Sequence, residues 1–314
     1  MKRLSLIIAL SAIALLTFFS CRNKEKKQQD TLKSGIIQIF ADENLRNIVN
    51  AEIDAFSVRY PEAFVFVEYT SEKQAIDTLL KDSTKLVVVA RSLDSREQSQ
   101  LPENRVIRKY PFGYEGVAFI INKQNVDSIL TIRQIEQIFW GEIQSWKQIN
   151  SRSTLDTIRM FFADENGVMR YVSDSITKGQ PTKSRHFYRL QEDEDIFAKI
   201  AENPNNIGVI GFNQIGNLKT KIYETNTQKI SLVYISKTDI RQKSCAALPY
   251  AGDVLSGDYP YWRPLYIMLG ETRDGLPKGL CFFMTQQVGQ KVVQKAGLMP
   301  ITDAHKVATR WVDE

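Results

Sequence analysis

The chain has 314 residues, 41 of them Lys or Arg and 36 Asp or Glu, for a formal charge of +5. Removing Lys2 and Arg3 with the leader described below leaves 39 basic against 36 acidic residues, a net +3. So balanced a chain, with no basic block and no alternation of basic and aromatic residues, argues against a nucleic-acid partner. It also carries no P-loop, dinucleotide fingerprint, Gly-x-Ser-x-Gly or His-Glu-x-x-His motif. The two histidines, His186 in the polar stretch Lys183–Arg189 and His305 near the C-terminus, stand apart from any nucleophile motif and read as surface groups. The reading is of a chain that is not an enzyme and carries no cofactor.

Taken in chain order, Lys2-Arg3, the apolar run Leu4–Phe19 and Ser20-Cys21 have the layout of an export signal over residues 1–20. The run falls short of a comfortable membrane span. It resembles a bacterial lipoprotein signal, which implies that Cys21 becomes the lipidated first residue of the mature protein. The chain would then sit on the periplasmic side of the cell envelope, held to a membrane by palmitate-type lipid. Phe18 stands where that pattern usually has Leu or Val, so an uncleaved anchor is the alternative, and it leaves the protein on the same side. Residues 21–33 are polar and read as a flexible tether.

From Ser34 about 280 residues remain, enough for two lobes of ordinary domain size. The pentapeptide Phe-Ala-Asp-Glu-Asn occurs twice, at Phe40–Asn44 and Phe162–Asn166. Ile36–Phe40 reads as a strand before the first copy, and Leu45, Ile48, Val49, Ile53 and Phe56 draw a helical stripe after it. Ile158–Phe162 and Val168, Met169, Val172 and Ile176 repeat the arrangement. Two equivalent strand-to-helix turns predict two similar α/β lobes, with helix N-termini facing a ligand cleft beyond the strand ends. The plainer reading is that Asp and Asn cap these helices and the acidic first turns complement the helix dipole.

Between and after the copies, Lys85–Ala90 and Val117–Asn122 read as buried parallel strands. Thr131 caps a helix carrying Ile132, Ile135, Ile138 and Phe139 that stops at Gly141. Asn203–Asn206 turns into Ile207–Phe212, Leu280–Met284 reads as a strand, and Gln286–Ala296 as a helix ended by Gly297. Cys245 and Cys281 either pair, closing a loop of about 36 residues for roughly 3–4 kcal/mol, or leave Cys281 a buried thiol.

Val87–Leu93, Gly113–Asn122, Leu130–Trp146, Ile207–Phe212, Tyr259–Leu269 and Gly289–Pro300 follow one another in the order seen in PstS-like substrate-binding proteins of bacterial ABC importers, which this chain resembles. The resemblance implies a class II periplasmic-binding fold, α/β, with two lobes, two crossovers and a central cleft. It places one lobe at 34–115 plus 239–304, the other at 116–238, and a tail at 305–314. It also implies a monomer that holds a small-molecule ligand, oxyanion or other small polar solute, and delivers it to an ABC permease.

By the same resemblance the ligand-binding residues are Ala41, Asp42, Glu43 and Asn44 in the first turn, Asp164, Glu165, Asn166 and Gly167 in the second, and Arg91, Ser92 and Glu115 between them. Phosphate binders of the family carry hydroxyl-rich turns at these places. Here the first turn has no hydroxyl, and only Gly167 survives in the second. Like charges within about 5 Å in a partly dry cleft cost several kcal/mol, so four carboxylates oppose a phosphate. Arg91 is then expected to supply the main positive charge, with Glu115 in the place of the family's cleft Asp. A cationic or amide-bearing ligand, or a divalent cation on the carboxylates, is the alternative chemistry, although the spacing matches no metal motif. A receptor, sensor or envelope-assembly partner with a degenerate cleft is the alternative function.

Overall fold

The computed structural model describes residues 30–163, 167–180, 183–190, 193–216 and 228–302. Its strands, in chain order, are β1 (Gly35–Asp42), β2 (Ala63–Thr70), β3 (Leu86–Val89), β4 (Arg108–Asn122), β5 (Ile129–Thr131) and β6 (Arg159–Ala163). They continue as β7 (Phe187–Leu190), β8 (Asn206–Gly211), β9 (Ile230–Leu232), β10 (Tyr234–Ser236), β11 (Ala246–Ala247), β12 (Trp262–Leu269) and β13 (Met299–Pro300). The large sheet runs β2-β1-β3-β12-β4-β8-β6-β7, and β11-β10-β5 form a small second sheet.

Within the large sheet β1, β2 and β3 are parallel, as are β6, β7 and β8. Between these parallel sets lies β4, fifteen residues long, whose residues up to Gly116 pair with β12 and whose residues from Val117 pair with β8. One strand thus serves both lobes, and the chain passes from the first to the second inside it. The architecture is the two-lobed class II periplasmic-binding fold.

Periodicity explains the helices that flank the cleft. Ile48, Val49 and Phe56 bury one face of the helix Arg46–Arg59. Val168 and Val172 do the same for Gly167–Ser175. Thr131 and Gln134 form a capping box at the start of Ile132–Trp140, and Gly141 ends it at φ 72°, in the left-handed region.

Leu280–Met284 is not a strand. It lies in the helix Leu276–Thr285, with Pro277 in the first turn and Leu280, Cys281, Phe283 and Met284 buried. A short apolar run fits a helix buried on most sides as well as it fits a strand, and periodicity cannot separate them. The helix carries Cys281 into the core of the first lobe, and Cys281 and the half-buried Cys245 are both free thiols.

Within the span expected to be a tether, the described residues from Asp30 pack against the fold. The Asp30 carboxylate accepts from the backbone N–H of Leu276 at 2.7 Å, at the N-terminus of that helix, and pairs with Arg273 at 2.6 Å. Gly279 sits so close to Leu32 that a Cβ there would collide with its carbonyl. Cys21 and the residues before it lie outside the described residues.

Candidate functional site

The ends of β1, β3 and β8, the middle of β4 and the start of β12 converge where the lobes meet. Asp42, the last residue of β1, is fully buried, and its Oδ1 accepts from the backbone N–H of Asn44 at 3.2 Å, as a helix cap does. Its Oδ2 accepts from the N–H of Gly167 at 3.3 Å, so the cap of one repeated turn reaches the helix start of the other. Asn44 is also fully buried, and its carbonyl accepts from Asn213 Nδ2 at 2.8 Å and Gln214 Nε2 at 3.0 Å. Ala41 is buried beneath the turn, whereas Glu43 points outward into an ion pair with Arg46 at 2.5 Å. Asp164, Glu165 and Asn166 lie outside the described residues.

At the centre is Arg263, fully buried. Its Nε donates to Glu115 Oε2 at 2.9 Å, its Nη2 stands 2.8 Å from the same oxygen, and Nη2 also donates to Asn44 Oδ1. Glu115, fully buried, accepts at Oε1 from both the backbone N–H and the side-chain amide of Asn213. Burial alone would favour loss of the guanidinium's proton, but Glu115, Asp42 and Glu72 outweigh it and hold Arg263 charged. Among the described residues its Nη1 finds no hydrogen-bond partner.

Two glycines of the second lobe allow this approach. A Cβ on Gly167 would lie 2.6 Å from Asp42 Oδ2 and 2.8 Å from Arg263 Nη1. One on Gly211 would lie 2.6 Å from both Asn44 Oδ1 and Glu115 Oε1. Asp42, Asn44, Glu115 and Arg263 are all fully buried, so a tetrahedral oxyanion or any other solute reaches them only when the lobes part.

Arg91 and Ser92 sit beside this core. Arg91 grips Glu97 with two bonds, 2.6 and 2.7 Å, donates to the Ser92 carbonyl at 3.1 Å, and lies 3.4 Å from Glu72. The expected principal cation is therefore committed to carboxylates of its own lobe, and the central one is Arg263. Glu72 accepts from the N–H of Ala90 at 2.9 Å and from Arg170 Nε of the second lobe at 2.5 Å. Arg170 also donates to the Ala90 carbonyl and to Asp174.

Sequence reasoning missed Arg263, Glu72, Arg170, Asn213 and Gln214. For Arg263 a signal exists: in Trp262–Leu269 it has the same strand parity as Leu265 and Ile267, both fully buried, so it must point inward and needs a carboxylate. The others give none, since a Glu after a Ser N-cap and an Asn-Gln pair are ordinary turn chemistry.

The family model of the PBP superfamily domain matches residues 26–287. The phosphate-binding protein PstS of Bacillus subtilis is 20% identical over 96% of both chains. That of Staphylococcus saprophyticus is 23% identical over 66% of this chain and 61% of its own length. Among solved structures, a putative phosphate ABC transporter substrate-binding protein with bound phosphate from Clostridium perfringens superposes with a TM-score of 0.69 at 18% identity, covering 85% of this chain and 100% of that one. A phosphate transport receptor from Vibrio cholerae gives 0.63 at 17% identity, with 84% and 99% covered.

Proposed function

Since this chain belongs to the PBP superfamily, we propose that it is a lipid-anchored extracytoplasmic solute-binding protein of the PstS-like kind whose cleft has lost tight phosphate binding. In this reading Cys21 carries the lipid, the lobes comprise 34–115 plus 239–304 and 116–238, and the monomer presents its solute to an ABC permease. When the lobes part, the solute enters between Asp42, Asn44, Glu115 and Gly167, with Glu72, Arg91 and Arg170 along the rim.

One observation carries the altered specificity. The central cation, Arg263, is neutralised by Glu115, hydrogen-bonded to Asn44 and flanked by Asp42 and Glu72. A phosphate would have to displace a buried carboxylate from its guanidinium and then sit among the remaining negative charges, at a cost of several kcal/mol. A small polar solute that brings hydrogen-bond donors to these oxygens avoids that cost.

Phosphate at millimolar concentration is therefore expected to leave the melting temperature unmoved. A binder would gain about 2.7 kcal/mol at a hundredfold excess over its dissociation constant. A clear phosphate-induced stabilisation would return the protein to the phosphate binders. Native mass spectrometry before and after denaturation is the positive arm, since a solute of the proposed class would copurify.

A further inference from the structure

The outer face of the first lobe's sheet carries an apolar patch next to the point where the N-terminal segment joins the fold. In β1 and β2, odd-numbered residues face the main core, where Ile37, Ile39, Val65 and Val67 pack. Even-numbered residues face the other way. There the helix Glu72–Leu80 covers β3 and the end of β1 through Ile76, Leu79, Val87 and Phe40, and leaves the beginning of β1 and β2 bare. Ile36 and Phe64 are register partners, and Phe66 stands two residues beyond Phe64 on the same face. They are 71%, 54% and 62% exposed.

In the fold this patch lies at the free edge, since β2 ends the sheet. A sheet face left uncovered at an edge, with two phenylalanines on it, marks an interaction surface or an aggregation hazard. Its place along the chain distinguishes these. A Cβ on Gly35 would lie 2.5 Å from Asp30 Cβ, so the chain enters the fold immediately beside Ile36. Only eight residues, 22–29, separate Asp30 from Cys21, a span of at most about 30 Å when fully extended. Four of the eight are Arg or Lys, against one Glu.

We infer that Ile36, Phe64 and Phe66 form a membrane-docking face that rests on the lipid surface to which the N-terminus is tethered. The inference builds on the anchoring proposed above. A short tether holds the patch at a high effective concentration near the bilayer, so three apolar side chains suffice where they would not recruit a free protein. The basic residues of the linker favour an anionic headgroup layer. Docked this way, the sheet edge is covered and the lobes have a fixed attitude to the membrane.

The test uses the full lipidated chain in vesicles containing phosphatidylglycerol. A polarity-sensitive fluorophore is placed at Phe66→Cys in a Cys245→Ser background, with Val126→Cys, 80% exposed in the second lobe, as the reference. The expected result is blue-shifted emission and quenching by spin-labelled lipid at position 66 only, both diminished by adding Ile36→Ser and Phe64→Ser. Water-like emission at position 66 on vesicle-bound protein overturns the docking face and leaves the anchor standing. A chain that stays in the aqueous phase, with no lipid mass on the Cys21 peptide, overturns both.

Discussion

Arg263 and Glu115 face each other as register partners on β12 and β4, and both side chains are fully buried under the second lobe. Removing one member strands the other, which typically costs about 3–5 kcal/mol. Arg263→Ala is expected to lose that much in urea unfolding, whereas Arg91→Ala, on a partly exposed side chain, should lose about 1.5–3 kcal/mol. An Arg263→Met, Glu115→Leu double variant should recover part of the loss, because no charge is left stranded, although Asn213 and Asn44 lose a partner each. Glu52 poses the opposite case: it shares the buried face of its helix with Ile48, Val49 and Phe56, and among the described residues neither of its carboxylate oxygens has a hydrogen-bond partner. Burial raises its pKa well above the ordinary carboxylate value. At a pH below that ordinary value both folded and unfolded chains hold the proton, and the group is neutral to pH. As pH rises past it the unfolded chain ionises first, and stability falls until the folded pKa is passed. Glu52→Gln should therefore raise the melting temperature at pH 7 to 8 and change it little near pH 4. Equal shifts at both pH values would show that Glu52 keeps its charge in the folded chain.

At the scale of elements, the helix Leu276–Thr285 depends on a residue outside itself. Asp30 caps it from the N-terminal segment, and although burial would raise this carboxyl, the Leu276 N–H and Arg273 hold it below its usual value. Asp30→Ala should cost about 1 kcal/mol at neutral pH, read by thermal unfolding. The difference should shrink on acidification, since the cap contributes only while the carboxylate is ionised. For the same reason a fragment beginning at Asp30 should be more stable than one beginning at Ser34. The sequence made most elements legible where period and caps agreed, as in the Thr131–Gly141 helix and the strand-to-helix turn at Asp42. It misled where a run of apolar residues was too short to show a period, as at Leu280–Met284. Asp30 was illegible for a different reason, because a polar residue in a polar segment reveals nothing of a helix 246 residues further on.

Over the whole molecule the lobes are held by contacts between their own residues: Gly167 to Asp42, Arg170 to Glu72, and Asn213 and Gln214 to Asn44. Gly167→Ala and Gly211→Ala would each thrust a methyl to within 2.6 Å of buried side-chain oxygens held by hydrogen bonds, and relief is expected from the lobes moving apart. Small-angle scattering should show a larger radius of gyration for both variants and no change for Gly252→Ala, which meets nothing within 4 Å. The repeat made the two turns visible in sequence, but their meeting was not, since it depends on how the lobes are joined. Glu115 and Arg263 belong to the same lobe, at the very point where β4 crosses to the other, and so lie on the pivot. Swinging the lobes apart ruptures the contacts at the rim and leaves this pair intact. An anion drifting in from solution accordingly meets a cation already quenched in the open state, and its capture rate should be slow and nearly independent of ionic strength.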